Sequence, residues 1–459
     1  MKNTFGNKIS TALLSGLLIA SLTGCAATAG ITAKAEDTAA PAAAEVTETP
    51  AAAVTEEKTS TPQTTVTENT ESTAETASAD YGDAFTDRDL KQTADLSGAQ
   101  TITVKSGEDV SITAEGVYVI SGTAEDVTVR VEADDQAKVQ LVLDGLQVTN
   151  TDSPVIYVVS ADKVFVTTAD SENTLTVSGT FTADGETNTD AVIFAKDDLV
   201  LNGTGTLNIS STDNGITCKD DLKITGGTIV IDSVSDAIEA NDSINIADGN
   251  VTITSDKDGI HCENDEDNTV GEINIYGGTF DITAADDGIQ GTTYVRIYDG
   301  TFTINAAEGI EGTYVQINDG TVSISASDDG INASYKSTAV PVILEINGGD
   351  ITVVMAAGDT DALDSNGKLI VNGGNINITA QFAFDFDGGS EFNGGTIIVN
   401  GSEVTSISNS MMGGGMFGGQ GMMPGGQGQM PDGTGQMPGQ GQMPGWGGQG
   451  GFGGHGKGN

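Results

Sequence analysis

Between residues 190 and 400, apolar and polar positions alternate in short runs, and a glycine-centred turn separates each run from the next. Alternation with period two marks strands that bury one face and expose the other. Leu222-Lys223-Ile224, then Gly226-Gly227, then Ile229-Val230-Ile231 is one such unit. The turn recurs as Asp248-Gly249, Gly277-Gly278, Asp299-Gly300, Asp319-Gly320, Gly348-Gly349, Gly373-Gly374 and Gly394-Gly395. A motif precedes each unit: Asp213-Asn214-Gly215-Ile216, Asp236-Ala237-Ile238, Asp258-Gly259-Ile260, Asp287-Gly288-Ile289, Glu308-Gly309-Ile310, Asp329-Gly330-Ile331 and Asp361-Ala362-Leu363. The central aliphatics lie 22, 22, 29, 21, 21 and 32 residues apart, so the two long gaps are insertions, near 263–271 and 335–341.

Two or three short strands in about 21 residues make one coil of a solenoid, whereas a WD40-type blade needs about 40–45. The pattern predicts an all-β chain: a right-handed single-stranded parallel β-helix, regular over 181–408. Residues 81–180 form a β-rich N-terminal cap with early coils, and Val117-Tyr118-Val119-Ile120-Ser121-Gly122 is the expected capping strand. Stacked coils predict vertical ladders. Cys218, Ala240, Cys262, Gly291, Gly312, Ala333 and Ser365 stand two places after the aliphatics and point inward with them. Asn202, Asn318, Asn347, Asn372 and Asn393 precede turns and read as a structural asparagine ladder. Cys218 and Cys262 fall two coils apart, ~10 Å, too far for a bridge, and are expected as buried free thiols.

Composition changes the picture at the two ends. A basic start, an apolar stretch over 9–20 and Leu22-Thr23-Gly24-Cys25 form a secretory signal with a lipobox-like end over 1–25. Cys25 is thus the expected lipid attachment point, the only membrane contact, and the chain is expected at the outer face of the cell. Residues 26–80 hold Ala, Thr, Glu, Pro and Ser with no aromatic residue, a self-repelling tether. Residues 409–459 are a Gly, Met, Gln and Pro tail. The net charge of -48 excludes nucleic acid as a partner.

That charge is concentrated beside the motifs. An acid stands two places before most of the central aliphatics: Asp236, Asp258, Asp287, Glu308, Asp329 and Asp361. Asp213, Asp286 and Asp328 stand one place earlier, Asp190 holds the same position a coil before, and Glu239, Glu311, Asp364, Gln290 and Asn332 follow the aliphatics. A straight strand would bury these carboxylates, so the intervening Gly or Ala reads as a bend that turns them outward. Neighbouring carboxylates ~5 Å apart repel by roughly 3 kcal/mol at an effective dielectric of 20. Oxygen donors with almost no histidine nearby select Ca²⁺ over zinc or copper. A solvated edge holding diffuse counterions is the plainer alternative.

The repeats, the lipobox, Phe85-Thr86-Asp87-Arg88-Asp89-Leu90, Val139-Gln140-Leu141-Val142-Leu143-Asp144-Gly145 and the Gly/Met tail together resemble the bacterial cell-surface β-helix proteins known as carbohydrate-binding domain proteins. The resemblance covers about 81–405. It implies a right-handed parallel β-helix that binds calcium and is associated with cellulose and acidic pectic polysaccharide, without established catalysis. It also resembles the calcium-dependent pectate lyases in fold. Asp385 and Asp387 depart from the motif, which leaves the last coil outside the carry-over.

Three functions follow as expectations. The first is a noncatalytic, calcium-dependent binder of polysaccharide, with Tyr276 and Tyr298 as candidate sugar-stacking rings or simple turn packing. The second is a lyase, which needs a Lys or Arg base. Lys219, Lys257, Arg296 and Lys336 are the available cations, and neutralisation of adjacent acids is the plainer role for Lys219 and Lys257. The third is a calcium-stiffened adhesin that needs no glycan.

Overall fold

The computed structural model describes residues 81–358 and 360–410. Cys25, the expected signal and tether, and the tail from 411 onward lie outside the described residues. Within the described residues every regular element is a strand, and strand pairs are parallel except Thr396–Val399 with Ser402–Val404.

The chain returns to the same place after every third strand. Asn214–Cys218 pairs with Ile238–Ala240, Asp221–Ile224 with Ser243–Ile246, and Thr228–Ser233 with Asn250–Ser255. Repetition of this pattern builds three stacks of parallel strands around one apolar core. The first carries the acids and is called the acid stack. The second, containing Asp221–Ile224, is crossed by the N-terminal segment and is called the strap stack. The third contains Thr228–Ser233.

The motif aliphatics pair in register from Ile156 through Ile193, Ile216, Ile238, Ile260, Ile289, Ile310 and Ile331 to Leu363. All are fully buried. The small-residue ladder follows them, and Cys218 and Cys262 are buried free thiols with Ala240 between them. The motif glycine has a steric cause rather than a conformational one. A Cβ on Gly259 would lie 2.5 Å from the Gly288 carbonyl oxygen, and one on Gly288 2.5 Å from that of Gly309. Asn347, Asn372 and Asn393 each donate an amide to the asparagine one coil back, at 3.0, 2.8 and 2.8 Å, so the ladder from Asn318 to Asn393 is structural. Asn202 is not part of it: it pairs with Thr167, accepts that hydroxyl at 2.6 Å and donates to the Asp89 carbonyl at 3.3 Å.

The N-terminal cap needs correction. Residues 117–122 lie inside the strand Gly116–Glu125, which pairs with Gln100–Thr103 on one side and Lys138–Asn150 on the other. The stacks therefore reach back to residue 100. The repeat is hard to read there because Lys138–Asn150 runs for 13 residues through two stacks without a glycine-pair turn.

Residues 81–92 instead form a strap across the outer side of the second stack. Asp89 is fully buried between Lys163 (3.7 Å) and Lys223 (3.5 Å), and accepts the Thr86 backbone N–H at 2.9 Å. The Asp89 carbonyl accepts the Thr225 hydroxyl at 2.6 Å. Gln92 donates to the Thr225 carbonyl (2.8 Å) and accepts the Gly203 N–H (2.9 Å). The Arg88 guanidinium covers the Phe165 ring at 4.4 Å, and Phe85 and Tyr81 close edge-on over Tyr276. Breaking a buried ion pair from one side costs about 3 kcal/mol, because the partner charges stay behind. Asp89→Ala is therefore expected to lower the melting temperature and open 81–92 to limited proteolysis, whereas exposed Asp87→Ala changes neither. An unchanged protease pattern for Asp89→Ala would show that the strap is not held by this carboxylate.

Candidate functional site

The acid stack places the motif carboxylates one above another, but not in solvent. Asp236, Asp258, Asp287 and Asp361 are buried, Asp190, Asp213, Glu308, Asp329 and Asp364 are half-buried, and only Asp286 and Asp328 are exposed. The expected outward bend is thus corrected. The reason is hydrogen bonding between coils. Asp236 Oδ1 accepts the Asp258 N–H at 3.0 Å, Asp258 Oδ1 the Asp287 N–H at 2.9 Å, and Asp329 Oδ1 the Asp361 N–H at 3.1 Å. Asn214 Oδ1 does the same for Asp236 at 3.0 Å. One carboxylate oxygen completes the backbone ladder at the corner, which offsets burial, and the other remains for a second partner.

That second partner divides the column in two. In the earlier coils it is a protein cation. Lys257 Nζ lies 2.9 Å from Asp236 and 3.6 Å from Asp258, and Lys219 Nζ lies 2.9 Å from Glu239. His261, in register between Glu239 and Gln290, reaches Asp236 (3.4 Å), Asp258 (3.5 Å) and Glu263 (3.2 Å). Burial pushes the imidazole down, but the hydrogen bonds to Asp236 and Glu263 outweigh it and hold His261 at about 10, as a cation. Burial likewise raises Asp236, yet hydrogen bonds from His261 and Lys257 leave its carboxyl below the usual range. Lys219, Asp236, Glu239, Lys257 and His261 line a cleft of about 710 Å³ together with Asp190 and Asp213. Burial, with repulsion from Glu239, lifts Asp190 to about 6. The expectation of almost no histidine near the column therefore fails here: one of the chain's 2 histidines stands within it.

In the later coils the carboxylates face one another. Oxygens of Asp258, Asp286 and Asp287 lie within 4.8 Å of each other, as do those of Asp287, Glu308 and Glu311. Burial raises Asp287 well above its usual range, with Glu311 and Glu308 adding to the shift. Burial and Glu311 lift Glu308 to about 7; burial and then Asp329 and Asp385 lift Asp364 to about 7. Lys336, 2.6 Å from Glu311, is the cation here. Asn332 donates its Nδ2 to Glu308 at 3.0 Å, while its buried Oδ1 has no hydrogen-bond partner. Three carboxylates that share one lysine, beside an orphaned amide oxygen, form an all-oxygen donor set that fits a hard divalent cation. The His261 end, already filled by its own cations, does not.

Sequence reasoning placed Lys219 and Lys257 as neutralising groups and Asn332 as an oxygen donor of the column, but missed His261 and Asn214 as members. Their signal was position: each falls on a motif place or directly after a motif aliphatic. A further cluster, Asp198, Asp220 and Asp221, sits at the corner between the acid and strap stacks, with Lys163 3.3 Å from Asp198. Tyr276 and Tyr298 stack on one another, centroids 4.6 Å apart and 5° from parallel, which leaves no room for a sugar between them.

A family model described as carbohydrate-binding domain-containing protein matches residues 106–360 and 305–411, more than half of the 459 residues. The chain belongs to this family. A carbohydrate-binding domain-containing protein of Acetivibrio thermocellus is 39% identical over 128 residues, 27% of this chain and 44% of that protein, so the chain spans less than half of that relative. A solved structure of the polysaccharide lyase-like protein from C. thermocellum, a gadolinium derivative, shares 33% identity over 46% of this chain and 90% of its own, with a TM-score of 0.42.

The raised carboxyls predict how stability depends on pH. Glu308 and Asp364 titrate near 7 when folded but near ~4 when unfolded, so the unfolded chain loses these protons first. Their contribution is full below about pH 4 and declines as pH rises toward 7. In chelator, the melting temperature is therefore expected to fall between about pH 4.5 and 6.5, a window below the unfolded His261 pKa. Millimolar calcium flattens that slope if it binds here. A flat profile in chelator would mean that burial and the neighbouring carboxylates do not raise Glu308 and Asp364 as placed.

Proposed function

We propose that this chain is a noncatalytic, calcium-dependent binder of acidic polysaccharide at the cell surface, built on a right-handed parallel β-helix and held by lipid on Cys25. Family membership supports carbohydrate binding. The observation that carries the finer reading is the Asp287, Glu308 and Glu311 cluster with the orphaned Asn332 oxygen beside it. Calcium held by these residues would supply the positive charge that lets an acidic protein surface accept an acidic glycan. The chain's own part is to hold the donors: Asp287 by the corner ladder, Glu311 by Ser334 (2.8 Å) and Gln290 (3.0 Å).

Lyase chemistry is the weaker reading. Removing the proton beside a uronate carboxylate needs a base that is unprotonated at working pH. Lys219, Lys257, Lys336 and Arg296 are each ion-paired to a carboxylate, at 2.9, 2.9, 2.6 and 3.0 Å. Burial lowers Lys257 and Lys336, but Asp236 and Glu311 raise them further, which keeps both protonated.

Retention on polygalacturonate, with calcium or with chelator, tests the proposal. Wild type is expected to be retained only with calcium and to release no unsaturated uronate. Asp287→Asn combined with Glu311→Gln is expected to weaken retention at least tenfold, while Asp213→Asn leaves it within about twofold. Ultraviolet absorbance from unsaturated products would make the protein a lyase instead. Calcium-dependent melting without retention would make it a calcium-stiffened structural protein.

A further inference from the structure

The cation at the Asp287, Glu308 and Glu311 cluster does not come from a strand. Lys336 lies in the second insertion, between the strands Ile331–Ala333 and Ile343–Ile346. Its Nζ reaches Glu311 Oε2 at 2.6 Å, and it feels the Asp287 and Glu308 carboxylates as well. One ammonium thus serves three carboxylates. Asp236 and Asp258, by contrast, share two cations, Lys257 and His261.

The backbone around Lys336 is fixed, while its side chain is free to leave. The Ser334 N–H donates to the Gly312 carbonyl at 3.0 Å, and the Ser337 N–H to Thr313 Oγ1 at 2.8 Å. Ser337 is buried and donates its hydroxyl to the Asn268 carbonyl of the first insertion at 2.6 Å. Neighbouring Tyr335 is 72% exposed, so solvent lies beside the lysine. The ammonium itself is a point charge on a flexible four-carbon stem. Glu311 is held independently of it, by the Ser334 hydroxyl (2.8 Å) and the Gln290 amide (3.0 Å).

We propose that Lys336 is a tethered competitor at this cation site, which sets its selectivity for divalent over monovalent ions and swings into solvent when a divalent ion enters. The inference rests on the calcium reading above. Sodium, potassium and the ammonium each bring one positive charge to the same carboxylates. The ammonium is linked to the site and so has a high effective concentration there, against which free monovalent ions compete poorly. A divalent ion attracts each carboxylate about twice as strongly at equal distance, and displaces it. Without the lysine, the site binds every cation more tightly and discriminates less.

Calorimetric titration of the full chain with calcium, at constant ionic strength in choline chloride or in potassium chloride, tests this. Wild type is expected to bind equally in both salts. Lys336→Met is expected to bind at least tenfold tighter in choline and to lose at least threefold of that affinity in potassium, whereas Lys336→Arg stays within threefold of wild type in both. The melting temperature of Lys336→Met is expected to fall in chelator and to match wild type in saturating calcium; a mere packing role would lower it in both. Acetylation of Lys336 by an amine-reactive ester, read by mass spectrometry, is expected to rise at least threefold with calcium, while Lys257 does not change. Unchanged calcium affinity in Lys336→Met, or labelling of Lys336 that calcium does not raise, overturns this proposal and leaves the calcium reading standing. Absence of calcium binding in both wild type and Lys336→Met overturns the two together.

Discussion

Parallel pairing in register forces like onto like. When a chain returns to the same place every third strand, each side chain meets its own counterpart ~4.8 Å above and below. For isoleucine this is favourable: the motif aliphatics form an unbroken apolar column with no special arrangement. Phe280 and Phe302 take the same logic inside the third stack, their rings 4.7 Å apart and 3° from parallel. For asparagine it is favourable as well, since an amide both donates and accepts. For a carboxylate it is not, and the rest of the acid stack follows from that difficulty.

The chain meets the difficulty in two ways. Asp236, Asp258 and Asp329 each tie one oxygen to the next coil's backbone, which makes them part of the fold's hydrogen-bond ladder rather than decoration on it. The other oxygen is matched to Lys219, Lys257 or His261 in the early coils, and left facing further carboxylates from Asp287 onward. The same motif therefore carries a structural solution at one end and a binding opportunity at the other. A lysine or histidine placed by register decides which.

Much of this was legible from periodicity. The coil length, the register of every motif aliphatic, both insertions, the asparagine ladder and the unbridged thiols follow from spacing alone. The burial of Asp236, Asp258 and Asp287 did not, because a one-residue corner can turn a side chain outward or fold it between coils, and only the partner on the neighbouring coil decides. His261 looked incidental as a single residue among many acids. The strap was invisible for a different reason: Asp89 and Gln92 recognise residues more than 70 positions away, and no repeat marks them. The N-terminal coils were misjudged because Lys138–Asn150 passes through two stacks without a turn to mark the boundary.

The strap also changes what kind of object the stack is. A solenoid in which each coil touches only its neighbours unravels from its ends, one unit at a time. Here residues 81–92 touch coils from Lys163 to Tyr276, so those coils cannot fray independently. They behave as a single cooperative block, and the exposed coils toward the C-terminus are left as the part that can open alone. A pull applied at residue 81 therefore loads several coils sideways at once instead of peeling the first one.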